Sequence, residues 1–358
     1  MSSEPRTRWG DKPYYSLDYY LRQTFGEKIY KVALDVGTTC PNRDGTLDRR
    51  GCIFCSAGGS GDFAAHAGDH QHIQTQIDEA IDFLKRGKKP VGDRFIAYFQ
   101  AYSGTYAPIR QLRTWYLDAL HHPRVAALSI ATRPDCFLPE TYELLEECRQ
   151  IKPVWIELGL QTIHERTAAF IRRGYPLSVF EDCVHRLAAR DIPVIVHVIL
   201  GLPGETAQDM LQTISYLNTL PISGIKLQLL HVLKGTDLGI WYEQKQTAEL
   251  TKRQAPINQL HPVQTPVQTP GQTLPPETAD WHILSRDEYI DLVLDCIDHL
   301  RPDIVIHRLT GDGPRELLLA PRWSLDKRGV MGAMGHAMKV RGCYQGRNYI
   351  GKECHFDT

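Results

Sequence analysis

The stretch Val154-Trp155-Ile156-Glu157-Leu158-Gly159-Leu160-Gln161 alternates strictly. Val154, Ile156, Leu158 and Leu160 fall on one face and Trp155, Glu157, Gly159 and Gln161 on the other, which is the period of a β-strand. The aliphatic face has to meet a layer of helices. By elimination Glu157 and Gln161 look inward, where a carboxylate or an amide is costly unless it binds something polar.

Short apolar runs alternate with helical patterns on both sides of this stretch. Candidate strands run from Ile29 to Val36, Phe95 to Tyr102, Val125 to Thr132, Val154 to Gln161, Val194 to Leu200 and Gly224 to Val232. Between and after them, apolar positions recur at three-to-four spacing in 73–85, 109–121, 140–149, 178–190, 206–220 and 286–300, the mark of amphipathic helices. Alternating strands and helices predict an α/β fold with a mostly parallel sheet. Six such units cannot close as eight do, so the expectation is a partial, open (β/α)6 TIM-type barrel with a C-terminal extension. Residues 1–28 read as an N-terminal segment, 29–243 as the barrel core and 281–358 as the last helix and strand with the extension. Between them, 244–280 reads as a Pro/Gln/Thr-rich disordered insertion, because Val263-Gln264-Thr265-Pro266 is echoed by Val267-Gln268-Thr269-Pro270.

Composition narrows the class. With 42% apolar and 23% charged residues the chain reads as an ordinary globular protein. Met1 to Gly10 is polar and no later segment approaches a bilayer-spanning run, so a cytoplasmic protein without membrane contact is expected. Nine cysteines, an odd number, argue for reduced thiols or metal ligands and against a disulfide framework. A net charge of -1 provides no global basic field to recruit nucleic acid.

Cys40, Cys52 and Cys55 follow the first strand, at the carboxyl end of the barrel, where sites of this architecture are built. The segment Cys52-Ile53-Phe54-Cys55 puts two thiolates within reach of one metal centre. Three soft ligands with no obvious fourth suit a 4Fe-4S cluster that keeps one iron open, and S-adenosylmethionine is the ligand expected to chelate it. The competing reading is zinc, completed by His66, His70 or His72. It would make the chain a zinc-stabilised or catalytically silent barrel that holds a nucleotide or a partner.

Other residues gather at the same end. Gln100 closes the second strand beside Tyr102. His197 opens the run to Thr206 that joins the fifth strand to its helix, with Ile199 as an apolar ledge and Glu205 or Thr206 as a helix cap. Arg308 reads either as an anion-binding fork or as half of a salt bridge. Cys148, Cys183 and Cys296 read as core residues. Cys136 is a candidate to line the site, and Cys343 and Cys354 are free thiols or ligands of another metal.

Several blocks together resemble the radical S-adenosylmethionine superfamily, in particular the YhcC-like proteins related to the radical domain of the Elongator catalytic subunit. They include Tyr14-Tyr15-Ser16-Leu17, Thr39-Cys40-Pro41-Asn42-Arg43-Asp44-Gly45-Thr46, Gly51-Cys52-Ile53-Phe54-Cys55, Tyr98-Phe99-Gln100-Ala101-Tyr102, Thr132-Arg133-Pro134-Asp135-Cys136 and His307-Arg308-Leu309-Thr310-Gly311-Asp312-Gly313. The resemblance implies a 4Fe-4S cluster on Cys40, Cys52 and Cys55, Phe54 and Ile199 near adenine, and Glu157 with Gln161 near ribose or the methionine moiety. It also implies reductive cleavage to a 5'-deoxyadenosyl radical and an electron donor such as flavodoxin or ferredoxin. The substrate stays open, with an RNA base, as in transfer RNA modification, an alternative drawn from the Elongator relationship alone. The commonest superfamily pattern has a shorter first cysteine spacing and a glycine-glycine-glutamate run after the second strand. Without that run, Gln100 and neighbouring carbonyls are the groups left to meet the amino group of S-adenosylmethionine.

Overall fold

The computed structural model describes residues 6–59, 72–87, 91–254 and 281–349. Helix α1 (Leu17–Phe25) begins at Ser16, whose hydroxyl accepts the Tyr19 N–H, and ends at Gly26 in the left-handed conformation. The barrel units follow as β1 (Tyr30–Leu34), α2 (Ile73–Lys85), β2 (Phe95–Phe99), α3 (Ile109–His121), β3 (Val125–Thr132), α4 (Pro139–Ile151) and β4 (Val154–Gln161). Next come α5 (Glu165–Phe170), α6 (Leu177–Ala188), β5 (Val194–Leu200), α7 (Ala207–Leu217), β6 (Gly224–Leu229), β7 (Val232–Leu233) and α8 (Asp237–Gln254). After 281 lie α9 (Arg286–His299), β8 (Val305–Arg308), β9 (Leu318–Ala320) and α10 (Lys327–Arg341).

One sheet runs β1-β2-β3-β4-β5-β6-β8, every neighbour parallel, and curls into a half-barrel. Its seventh strand, β8, extends the six-unit expectation by one edge. The outward residues of the strands, such as Val32, Leu128, Ile156, Val196 and Leu227, join the helices in the main core. The bottom of the barrel is plugged. Ile96, Ala127, Trp155 and Ile195 point inward and bury against Leu21 of α1 and Ile29, with Tyr20 edge-on to Trp155 at 6.2 Å. Each isoleucine or leucine of the plug contributes about 1.5–3 kcal/mol by leaving water. Polar groups therefore have room only above this plug, toward the carboxyl ends of the strands.

The outer edge of β8 is met by the N-terminal segment. Ser16 bridges Ile306 in parallel, and the Ile306 N–H donates to the Tyr15 carbonyl at 2.7 Å. Gln345, almost fully buried, accepts the Tyr15 N–H at 2.8 Å and donates to the carbonyls of Arg301 and Ile304. The C-terminal extension includes helix α10 and packs on α9. Helix α8 runs to Gln254, past the expected boundary at Gln244, and the repeat at 263–270 lies outside the described residues. Among the described residues no helix is long and apolar enough to cross a membrane.

Candidate active site

A cavity of about 380 Å³ opens at the carboxyl ends of the strands, and Cys40, Cys52 and Cys55 all line it. That size falls within the range of about 300–1,000 Å³ typical of small-molecule sites. The three thiols are half-buried and unlinked by disulfides. Their loop is held by its own backbone: Arg43 and Asp44 N–H groups donate to the Cys40 carbonyl, the Gly51 N–H to the Asn42 carbonyl, and the Cys55 N–H to the Cys52 carbonyl. Ile53, between the paired cysteines, is buried. Its N–H donates to the Ile171 carbonyl at 3.3 Å and its carbonyl accepts from Leu238 at 2.9 Å.

The cysteine loop is flanked by polar and basic side chains to which the sequence alone assigned no role. The Asn42 amide donates to Cys52 Sγ at 3.7 Å and to the Arg172 carbonyl at 2.7 Å. Arg43 donates to the carbonyls of Cys55 and Ser56, and its guanidinium lies 5.8 Å from the centre of the Tyr102 ring. Arg133, paired with Asp135 at 2.7 Å, stacks over Tyr175. Burial, followed by the neighbouring Cys55 thiol, pushes Cys52 up to about 12, with the Arg133 charge opposing. A metal bound to Cys52 would have to displace the thiol proton that burial favours. Tyr102, at φ 49, donates its hydroxyl to the Ala57 carbonyl and lays its ring on Gly59.

The residues present fit an iron-sulfur cluster with an adenosyl ligand. Among the described residues no group of three or more His, Cys, Asp or Glu converges on a point for one metal ion, whereas a cubane takes each thiolate on a different iron. Of the histidines weighed for zinc, His72 precedes α2, and His66 and His70 lie outside the described residues. Gln161 sits at φ 69 at the end of β4, lines the cavity, and has a buried Oε1 with no protein partner. A Cβ at Gly159 would stand 2.9 Å from the Gln161 amide nitrogen, so glycine leaves that amide its place. Ile199 and Phe54 meet in one apolar cluster with Ile53 and Ile171, giving the cavity a wall for a flat, apolar ring. Gln100 lines the cavity as well.

Glu157 is fully buried beneath these groups, and its two oxygens take five donors. Oε1 accepts from Ser129 at 2.7 Å and from Lys31; Oε2 accepts from His197 at 2.8 Å, Tyr98 at 3.0 Å and Lys226. Burial alone would raise its pKa, but Lys226 and Lys31 outweigh burial and hold it well below the ordinary range. Glu157, expected near ribose or methionine, lines the same cavity as the cysteines, with its oxygens held by the donors of the barrel floor. Lysines at inward positions of β1 and β6 were the sequence signal for this network. Burial pulls Lys226 down to about 7 against the Glu157 charge, and His197 to about 4.

Other residues fall outside the cavity. Thr206 caps α7 in a capping box with Asp209, and Glu205 lines a separate cleft beside Trp281. Cys136 is buried but does not line the cavity. Cys148, Cys183 and Cys296 are core residues. Cys343 is also core, its thiol donating to the Leu294 carbonyl, and Cys354 lies outside the described residues.

The sequence matches the Radical SAM superfamily over residues 37–217 and the Radical_SAM C-terminal domain over residues 276–339. It is 38% identical over 337 residues to the uncharacterized protein YtqA of Bacillus subtilis (strain 168), covering 94% of this chain and 93% of that protein. It is 32% identical over 304 residues to the protein YhcC of Escherichia coli (strain K12), covering 85% of each. Among solved structures, the archaeal Methanocaldococcus infernus Elp3 with an N-terminal deletion has the same fold, with a TM-score of 0.59 at 14% identity over 88% of this chain; the match spans 64% of that chain.

Proposed function

Because the chain belongs to the radical SAM superfamily, we propose that Cys40, Cys52 and Cys55 hold a 4Fe-4S cluster whose fourth iron takes S-adenosylmethionine. The observation that carries the proposal is the placing of all three thiols on the wall of one cavity that also holds Gln161, Ile199 and Phe54. When bound and reduced by a one-electron donor such as flavodoxin or ferredoxin, the cluster supplies the electron that splits the sulfonium into methionine and the hydrogen-abstracting 5'-deoxyadenosyl radical.

The protein's own residues bind, orient and shield. Asn42 donates a hydrogen bond to one thiolate, and Arg43 and Arg133 bring positive charge to a site that gains negative charge on reduction. Gln161 offers an open acceptor to the ribose hydroxyls, Ile199 and the Phe54 backbone take the adenine, and Gln100 takes the amino group. The apolar cluster around Ile53 keeps water from that side of the cavity. The floor of Glu157, Lys31, Lys226, His197 and Tyr98 fixes the inner wall against which a substrate rests.

Anaerobic reconstitution with iron and sulfide tests the proposal. Wild type should turn brown and release 5'-deoxyadenosine on addition of dithionite and S-adenosylmethionine, and Cys52→Ala should lose both. A Cys52→Ala variant with wild-type iron content would overturn the assignment.

A further inference from the structure

Lys226 on β6 and Arg308 on β8 are register partners in the parallel ladder, and both line the cavity that holds the three cysteines. Their alignment depends on an irregularity. Gly224 pairs with Val305 and Ile225 with Ile306, but Lys226 then pairs with Arg308, skipping His307. A bulge of this kind re-aims side chains and recurs beside active sites. Here it sets two basic residues on adjacent strands, both lining one cavity.

Local carboxylates do not balance the charge. Glu157 serves Lys31 as well as Lys226. Asp312 stands 3.3 Å from Arg308 but gives its other oxygen to Lys327 at 2.7 Å. Three basic side chains, Lys31, Lys226 and Arg308, thus share two carboxylates, one of them also held by an outside lysine. Lys226 is nearly fully buried while Arg308 is about a third exposed, and both side chains line the cavity. A planar fork beside a buried ammonium is the donor set for an oxyanion.

We infer that the substrate carries a carboxylate or phosphate group, and that Arg308 and Lys226 bind this oxyanion at the floor of the cavity, across from the cysteine loop. The inference rests on the radical-enzyme reading for the name "substrate", but the anion site stands on its own geometry. Binding there neutralises the excess charge and points the remainder of the molecule up toward the cysteines. Tyr98, which accepts from Lys226 at 3.1 Å, holds the ammonium in place as a positioning residue.

The test uses the full-length, reconstituted protein with S-adenosylmethionine. Its melting temperature is followed against sodium phosphate and, separately, sodium acetate, with ionic strength held constant by chloride. A ligand that binds the folded state raises stability with a saturable dependence on its concentration. Wild type should show that rise with at least one of the two anions, and the more effective one identifies the substrate group as phosphate or carboxylate. Arg308→Gln and Lys226→Met should each raise the half-saturating concentration at least tenfold, and Arg308→Lys should recover part of the loss. Circular dichroism and iron content report whether each variant is folded and loaded. No saturable rise in wild type, or half-saturation within twofold in folded Arg308→Gln, overturns the inference. So does a tenfold loss of S-adenosylmethionine affinity in Arg308→Gln, which would assign the guanidinium to that ligand's own carboxylate. Wild type that takes up no iron yet keeps the anion effect would sink the radical reading and leave the anion site intact.

Discussion

Lys226 on β6 reaches past β5 to the carboxylate of Glu157 on β4, so one ion pair spans three strands of the barrel wall. With Glu157 inaccessible to solvent and five donors converging on it, this carboxylate is the hub of the polar floor. Removing one partner of a buried pair leaves an uncompensated charge and costs about 3–5 kcal/mol. Glu157→Gln should therefore lower unfolding stability by that order in urea. Adding Lys226→Met should return part of it, because the stranded ammonium is then gone. A Glu157→Gln variant within about 1 kcal/mol of wild type would contradict the hub.

The histidines make the fold sensitive to mild acid. Burial, with the Lys226 charge second, holds His197 down to about 4, and burial holds His231 there too, both from an ordinary 6.5. Above 6.5 both are neutral folded or unfolded and contribute no pH dependence. Between 6.5 and 4 the unfolded chain takes up protons that the fold refuses, so stability falls as pH falls, by about 1.4 kcal/mol per pH unit for each histidine. Glu157, held below its usual 4.5, adds its own loss only below that value. His197→Gln keeps a donor for Glu157 and should flatten the slope between 6.5 and 4 by about one proton. Urea midpoints across that window measure it; an unchanged slope would show that His197 is not the titrating group.

Gly59 and Tyr102 lock the cysteine loop from outside. At φ 60 an added Cβ on Gly59 would stand 2.7 Å from the Tyr102 ring. Gly59→Ala should speed loss of iron to a chelator from the reconstituted protein. Combining it with Tyr102→Ala should recover only part, since relieving the clash leaves the left-handed backbone cost of about 1–2 kcal/mol. Equal iron loss in wild type and Gly59→Ala would show that this contact does not hold the loop.

Gln345 ties the two ends of the chain to β8. Gln345→Leu strands the part-buried Tyr15 N–H and Arg301 carbonyl and the buried Ile304 carbonyl, the last costing about 1–3 kcal/mol when unsatisfied. The expected result is faster amide exchange at Tyr15 and Ile306 with little change at Ile156 in the central strand. Uniform exchange changes across the sheet would point to global destabilisation instead.

Much of this architecture was legible because period-2 and period-3.6 patterns are local. Strands β3, β4 and β5 and helices α2 and α3 match their expected bounds residue for residue, and the inward turn of Glu157 follows from the alternation of β4, whereas Gln161 comes after a register shift and has a positive φ. Strand β8 was harder to assign to the sheet, since a run of only Val305–Arg308 does not announce its partner, and its pairing depends on a chain segment folded far from it in sequence. The role of Glu157 was not legible for the same reason: Lys31 and Lys226 lie 126 and 69 residues away, and only the curl of the sheet brings them to one carboxylate. Asn42 and Arg43 directly follow Cys40 and Pro41 in the sequence, yet their contacts to Cys52 and Cys55 depend on how the loop turns back on itself.

Ile53 is held on one side by Ile171 and on the other by Leu238, both through main-chain groups that owe nothing to metal. Its two neighbours along the chain, Cys52 and Phe54, inherit that fixation. If the proposed cluster binds, it would meet a loop whose main chain is already fixed at Ile53, so that loading would need thiol deprotonation but no folding of that loop. Metal-free and metal-loaded chains should then unfold with the same denaturant m-value, since that slope tracks the surface released and both release the same surface. A shallower slope in the metal-free chain would mean that the scaffold is completed by its inorganic cargo.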